Sequence, residues 1–565
     1  MKNKKILIAN RGEIALRIMR SAKELGLITI AVYSDVDKES LHVKTADQSI
    51  HLGPSLPADS YRNLKRLVEA AVQSEADLVH PGYGFLAENA DFARAIQRKK
   101  IIWVGPSPKT IKSMGDKIES RKLVSKIGLK PIPGQLKPAR NRKDAMRDAR
   151  EQGFPVALKA AHGGGGKGLR IVDNAQDLLE NYDIVRRESE AYFGSNEIYV
   201  EKFIKNAKHV ETQLLSDQHG NHVFLGERDC STQRRNQKLV EESPAFWISE
   251  EARQNLKKQT LKIAEESEYT NAGTVEFLAD EEENFYFLEM NTRLQVEHTV
   301  TEMRYGIDIV KEQIKIAMGH SLAGREWSAR GHSIEFRINA EDTTKNFIPV
   351  PGTITEYKEP IGNGVRIDGW ARSGTHISHF YDNLIAKLVV WGNDREEAIE
   401  VGQRCLNEYV VSGIPTTINA LLQIISSDAF LEGKVHVNYI EDNLNLFVDN
   451  QKKEVGEMNI SEVVIIPSAD SPSNVVAPKM PNKIGMDLST GGSPGKIIAE
   501  MQGTIVDIMI KEGKKVKKGD SLFVIEAMKM ENIVSSPIDG IIKELNITKG
   551  SPVSKGDVIL VIERK

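Results

Sequence analysis

The C-terminal region of the chain is an internal duplication. Shifted against itself by 37 residues, Gly503 falls on Gly540, Ile505 on Ile542, Ile510 on Ile547, Gly513 on Gly550 and Val516 on Val553. Lys518-Gly519-Asp520 falls on Lys555-Gly556-Asp557, and Ile525-Glu526 on Ile562-Glu563. Each half reads as short alternating strands punctuated by Gly-Asp and Lys-Gly turns. Two such half-sheets can bury one face against each other, which predicts a small all-β sandwich. Lys529 lies just beyond the first half, where the chain must reverse to begin the second. A turn tip is exposed, so this lysine between Met528 and Met530 is expected to face solvent.

The whole chain, at 565 residues, is long enough for several domains with cores of their own. Its 76 Lys and Arg nearly balance 79 Asp and Glu, so bulk charge gives no reason to expect a nucleic-acid or membrane partner. Cys230 and Cys405 stand far apart in no Cys-x-x-Cys pattern, which excludes a disulfide framework and a zinc site and fits a reducing, cytoplasmic compartment. Met1-Lys2-Asn3-Lys4-Lys5 runs straight into an apolar strand, unlike a signal peptide. No apolar run approaches the ~18 residues of a membrane span.

At the N-terminus, Ile6–Ala9 reads as a buried parallel strand, Glu13–Leu25 as a helix stopped by Gly26, and Ile28–Tyr33 as a second strand. Asp77–His80 and Ile101–Val104 look like later strands of one doubly wound unit. A dinucleotide-binding turn is weakly supported, because Gly12 stands alone where Gly-x-Gly-x-x-Gly is required. The loop His80–Asn89 follows a strand at its carboxyl end, where such sheets place ligands; Gly82 and Gly84 are equally explained as turn residues.

Further on, Phe154–Lys159 and Leu169–Val172 read as strands flanking His162-Gly163-Gly164-Gly165-Gly166-Lys167-Gly168. Backbone N–H groups of such a hairpin can close over phosphates. Gly168 after Lys167 breaks the Walker pattern, which needs Ser or Thr there. Thr274–Ala279 and Phe285–Asn291 read as strands joined by the acidic turn Glu281–Asn284. Closed symmetrically, this hairpin sets 280 against 285 and Glu276 against Glu289. Like charges directly opposite destabilise a sheet, so a cation is expected there. Glu276, Glu289 and Asn291 form an oxygen-rich set suited to Mg²⁺, unless the pair is simply solvated on an open face.

Two resemblances follow from these motifs. Ala527-Met528-Lys529-Met530 at the turn of a duplicated half-motif resembles the biotinylation site of biotin carboxyl carrier domains, with lipoyl domains as the nearest alternative. Asn10–Ala15, the His80–Asn89 loop, Met114–Lys117, the glycine hairpin, Lys208–Glu211, Arg228–Ser231 with Gln233–Arg235, and Glu289–His298 together resemble biotin carboxylase, an ATP-grasp enzyme. That resemblance runs from residue 4 to about 447. The implied fold is multidomain, α/β and α+β. It comprises a doubly wound domain at 1–115, an ATP-grasp domain at 116–330, a biotin carboxylase C-terminal domain at 331–447, a polar linker at 448–496 and an all-β biotinyl/lipoyl-like sandwich at 497–565. As a flexible chain, the linker spans roughly 35–40 Å root-mean-square.

The resemblance also implies roles. Biotin is amide-linked to Lys529 by a separate biotin protein ligase. Lys117, Lys159, His209 and Gln233 lie on the ATP side, with Gly165 and Gly166 in the lid and Glu201, Lys202 and Ile204 along adenine. Glu276, Glu289 and Asn291 hold Mg²⁺, or Mn²⁺ in its place. Glu297 is the base acting on bicarbonate; Lys238, Arg293, Gln295 and Val296 hold the anion; Arg337 stabilises the biotin enolate. Read without the family, Arg293, Glu297 and Arg337 form an ion-pair network equally well. One departure is visible: the family commonly has histidine where this chain has Asn236, which leaves an amide to hydrogen-bond on the nucleotide side.

Residues 331–447 read as strands with Gly and Pro turns and then a helix around Arg395 to Val411; they resemble the family's C-terminal domain, which implies a homo-oligomer. No stretch is left for a carboxyltransferase, so the second half-reaction is expected on a separate β chain. The expected protein is the α chain of an acetyl- or propionyl-CoA carboxylase. A split pyruvate carboxylase and a carrier scaffold with weakened ATPase are the alternatives.

Overall fold

The computed structural model describes residues 2–135, 137–160, 169–193, 197–448, 495–499, 503–527, 530–553 and 556–564. Lys529, Gly165 and Gly166, and all but the ends of the 448–496 linker lie outside the described residues. The chain divides into two compact units, Met1–Phe447 and Val448–Lys565.

The first unit begins with a parallel sheet of β1 (Lys5–Ile8), β2 (Ile28–Ser34), β3 (Gln48–Gly53), β4 (Leu78–His80) and β5 (Ile102–Trp103), in the order β3-β2-β1-β4-β5. Ile6, Leu7 and Ile8 are all fully buried, as expected of a strand covered on both faces. The helix Gly12–Glu24 packs one apolar stripe, Ile14, Ile18 and Ala22 among it, into that core. Strand order reverses between β1 and β4, so the loops after these two strands form the crevice where such sheets bind ligands. Asn10 Nδ2 bridges them, donating to the Pro81 and Tyr83 carbonyls at 2.7 Å each. Gly82 sits at φ +64°, and a Cβ there would come within 2.9 Å of that amide. The glycine therefore serves the clamp as well as the turn.

A three-stranded antiparallel sheet follows, ordered β7-β6-β8, from β6 (Val156–Ala160), β7 (Leu169–Val172) and β8 (Ile198–Lys202). The helices Arg142–Gln152 and Ala175–Phe193 close its small core around Leu158, Val172, Leu178 and Tyr182.

The largest sheet has eight strands. It comprises β9 (Lys208–Ser216), β10 (His222–Arg234), β11 (Gln237–Ser243), β12 (Asn271–Ala279), β13 (Phe285–Asn291), β14 (His332–Asn339) and the strands Val365–Gly369 and Leu384–Gly392. The order is β13-β12-β9-β10-β11-β14, then Leu384–Gly392 and Val365–Gly369. Because β14 pairs with β11, hydrogen bonding runs unbroken between residues placed on either side of position 330.

Two local expectations need correction. The β12–β13 turn closes with Ala279, not residue 280, opposite Phe285. Asp280 sets this closure, accepting from the Glu282 and Asn284 amides at 3.1 and 2.8 Å. A register shift beyond Phe277 then restores Glu276 opposite Glu289. The helix expected from Arg395 to Val411 ends at Glu408, because Val410–Ser412 pairs as a strand with Glu356–Lys358. β-branched Val410 and Val411 favour the strand.

In the second unit, two four-stranded sheets face each other over Ile505, Leu522, Phe523, Ile525, Ile542, Leu560 and Ile562. Every strand of one sheet has its counterpart in the other. However, each half does not make its own sheet: Lys515–Val516 pairs with Gly540–Leu545, and Pro552–Val553 with Gly503–Ile508. The exchanged edges tie the halves together. Ser521–Ala527 and Met530–Ser535 are antiparallel with Ala527 opposite Met530.

Candidate active site

Strands β9 to β14 bring the chemistry-bearing residues onto neighbouring positions. Lys238 on β11 stands at the centre: its Nζ lies 2.7 Å from Glu211 Oε2, 3.2 Å from Glu276 Oε1 and 2.5 Å from Glu297 Oε1. Burial alone would discharge this ammonium, but the acidic groups around it raise its pKa well above the ordinary lysine value. Lys238 is a fixed cation. Glu211 is held from behind by the fully buried Arg228 at 2.5 Å.

Glu276 receives His209 Nε2 at 3.0 Å, Asn291 Nδ2 at 2.8 Å and Gln295 Nε2 at 3.0 Å. Burial opposes its ionisation, yet Lys238 and His209 hold its carboxyl well below the usual range. Gln233 fixes the other ring nitrogen of His209 at 3.1 Å. Glu289, opposite Glu276, is pushed up by burial and by the Glu276 charge. A half-buried carboxylate at Glu289 facing the buried one at Glu276, with an amide oxygen at Asn291 on its own strand face, is a hard-oxygen set that fits Mg²⁺. His209, Glu211 and Glu276 also bring one donor atom each within 4.8 Å of one another, but there the cation is the Lys238 ammonium.

Arg293 donates to Glu88 Oε2 at 2.9 Å, Gln295 Oε1 at 2.8 Å and Asn291 Oδ1 at 3.1 Å. Glu297 receives Arg337 Nη2 at 2.9 Å besides Lys238. Burial opposes its charge too, but Lys238, Arg337 and Arg228 hold it well below the ordinary carboxylate range. Val296 lends its carbonyl to Lys387 at 2.8 Å.

The remaining candidates surround this centre. Lys159 on β6 pairs with Glu201 at 2.5 Å, and Arg121 takes the other Glu201 oxygen at 2.5 Å. These two cations overcome burial and set Glu201 at about 2. Lys202 donates to the Gly153 carbonyl at 2.8 Å, and half-buried Ile204 follows β8. Lys117 opens the helix Lys117–Lys126, capped by Asp116. With Glu88, Glu289 and Asn291 it lines a cavity of about 560 Å³.

Four family descriptions match in order. "Biotin carboxylase, N-terminal domain" matches residues 2–111. "Carbamoyl-phosphate synthase L chain, ATP binding domain" covers 116–325, "Biotin carboxylase C-terminal domain" 335–442 and "Biotin-requiring enzyme" 491–562. The α3 subunit of a biotin-dependent acyl-coenzyme A carboxylase from Mycobacterium leprae is 40% identical over 564 residues, 95% of this chain and 94% of that one. The chain belongs to the biotin carboxylase family. It is a biotin carboxylase, an ATP-dependent ligase, fused to a biotin carrier domain. The 2-oxoglutarate carboxylase small subunit of Hydrogenobacter thermophilus is 45% identical, covering 82% of this chain and 98% of that one. The crystal structure of that enzyme's biotin carboxylase domain dimer, in complex with MgADP, ADP and bicarbonate, superposes with a TM-score of 0.75 at 45% identity. It covers 79% of this chain and 99% of that one.

In this biotin carboxylase the site holds several residues that sequence reasoning gave no role. Glu88 lies in the clamped loop, and only that loop's position at a strand's carboxyl end pointed to it. Glu241 receives Arg337 Nε at 2.7 Å and stands opposite Glu335 across β11 and β14. Burial raises these two carboxyls to about 8 and about 7. Asn236 takes φ +62° in the two-residue β10–β11 turn, after Arg235 at +48°. Asparagine tolerates that left-handed conformation better than most residues.

Proposed function

We propose that this chain carboxylates biotin held on Lys529, using bicarbonate and ATP, as the first half-reaction of an acyl-CoA carboxylase. Bicarbonate is a poor electrophile, so its oxygen attacks the γ-phosphorus and ADP leaves, giving carboxyphosphate. Glu297, ionised at neutral pH, takes the bicarbonate proton. Lys238 and Arg293 hold the anion beside it, with the Gln295–Val296 backbone. Glu276, Glu289 and Asn291 would hold Mg²⁺, which when bound neutralises phosphate charge. Lys117, Lys159, His209 and Gln233 form the ATP side, and Glu201, Lys202 and Ile204 the adenine side. Arg337, fixed by Glu241 and Glu297, faces the charge that develops on the ureido oxygen of biotin.

The observation that carries the acyl-CoA reading is the extent of similarity. The mycobacterial α3 subunit is matched through both catalytic and carrier regions, whereas the 2-oxoglutarate carboxylase subunit matches 82% of the chain. The acceptor is then acetyl-CoA or propionyl-CoA, carboxylated by a carboxyltransferase β chain on a separate polypeptide, with biotin attached by a biotin protein ligase. A split pyruvate carboxylase is the second reading within the class. The catalytic unit is proposed to dimerise; a concentration-independent monomer mass in light scattering would count against that. Two assays test the function. Purified protein should cleave ATP only with bicarbonate present and faster with free biotin; no such activity sinks the enzyme reading. The co-purified partner, assayed with acetyl-CoA, propionyl-CoA and pyruvate, identifies the acceptor.

A further inference from the structure

Lys387 lies on the strand Leu384–Gly392 and is fully buried. Its Nζ donates to the Val296 carbonyl at 2.8 Å and pairs with Glu13 Oε1 at 3.5 Å. Glu13 comes from the first turn of the helix after β1, so three separate regions of the chain meet at this ammonium. Neither oxygen of Glu13 has a hydrogen-bond partner among the described residues, and burial raises its carboxyl to about 7. A buried ammonium with so few partners is costly, and a methionine would fill the same space without the charge.

The carbonyl it holds belongs to the turn that carries Glu297. The preceding carbonyl, Gln295, accepts from His298 Nδ1 at 2.8 Å. Two consecutive carbonyls are thus drawn into the junction. A planar trans peptide sets N–H opposite C=O, so the N–H groups of Val296 and Glu297 project the other way. Among the described residues neither N–H has a hydrogen-bond partner.

We propose that Lys387 is a positioning residue for bicarbonate: by holding the Val296 carbonyl it aims the Glu297 N–H at the anion, with Glu13 as its counter-charge. The effect is both orientation and polarisation of that peptide, without contact between Lys387 and substrate. This rests on the reading of Glu297, Lys238 and Arg293 as the bicarbonate site.

The test uses the full chain with Lys387→Met, and a Glu13→Gln/Lys387→Met double variant that removes both members of this pair. Bicarbonate-dependent ATP cleavage is measured with free biotin. Both variants are expected to raise KM for bicarbonate by about tenfold, the loss of one hydrogen bond to a charged group. KM for ATP should change less than about twofold, and the double variant should melt within a few degrees of the unaltered chain. An unmoved bicarbonate KM in a folded variant overturns the proposal, as does a parallel rise in both KM values. An unfolded double variant assigns Lys387 to the fold and overturns it as well. If the unaltered chain shows no bicarbonate-dependent cleavage, the functional reading itself fails, a result distinct from these.

Discussion

A buried ammonium touching three carboxylates can serve as an electrostatic clamp but not as a base, which is the role proposed for Lys238. Lys238→Gln keeps the side chain's reach but removes the charge. It should lower the rate of bicarbonate-dependent ATP cleavage by about 10²–10³-fold, the effect of losing one preorganised donor in an anion site. Steady-state assays at saturating ATP check it, and a loss below about fivefold would contradict the assignment. Glu341 gives a residue-scale prediction for stability. It is buried, accepts from Asn383 Nδ2 at 2.6 Å, and burial raises its carboxyl to about 7. Between the ordinary carboxylate pKa and about 7, the folded chain keeps a proton that the unfolded chain has lost. Stability therefore falls as pH rises through that window, by on the order of 2–3 kcal/mol in total, and the full penalty stands above pH 7. Glu341→Gln should raise the melting temperature at pH 8.5 and leave it nearly unchanged at pH 5. An unaltered pH slope in thermal scans would refute this.

At the scale of elements, the β12–β13 hairpin shows what a sequence pattern can and cannot disclose. The bounds of β13 and the opposition of Glu276 and Glu289 were legible, because alternation and an acidic turn are local signals. The register shift that restores the opposition was not, since it depends on how Asp280 closes the turn. A one-residue slip would send Glu289 to the other face. Asp280→Ala removes acceptors for the Glu282 and Asn284 amides, the Asn284 side chain and the Tyr286 hydroxyl. It should cost about 1–2 kcal/mol and raise the Mg²⁺ concentration for half-maximal ATP cleavage several-fold. Unchanged Mg²⁺ dependence would show that the turn does not set the metal pair. The exchanged edge strands of the carrier domain were hidden for a related reason: a duplication shows which strands are equivalent, not which of them pair. Likewise Glu88 meets Arg293, and Lys387 meets Val296, across separations that leave no periodicity to read. Lys238, Arg337 and Glu297 were named from motifs, and the structure brings them together within one network.

At the scale of the molecule, the described side chains of the site all belong to Met1–Phe447, and Lys529, the proposed attachment point of biotin, belongs to the other unit. The eight-stranded sheet sets where the first unit can be cut. A chain ending at 330 loses Arg337 and Lys387 and exposes the edge of β11, so it should be insoluble or inactive. A chain ending at 447 keeps the whole sheet and should retain bicarbonate-dependent ATP cleavage with free biotin. Among the described residues no helix is long and apolar enough to cross a membrane. The carrier unit has its own core, and residues 491–565 should fold alone and accept biotin. Covalent linkage places the carrier at millimolar effective concentration. Mixing the two fragments at about 1 μM should therefore load biotin roughly 10²–10³-fold more slowly than the intact chain does. Transfer of radiolabel from bicarbonate to the carrier fragment measures this. Equal rates in the two formats would mean that the units bind each other tightly through contacts of their own, and that the connection between them contributes nothing to turnover.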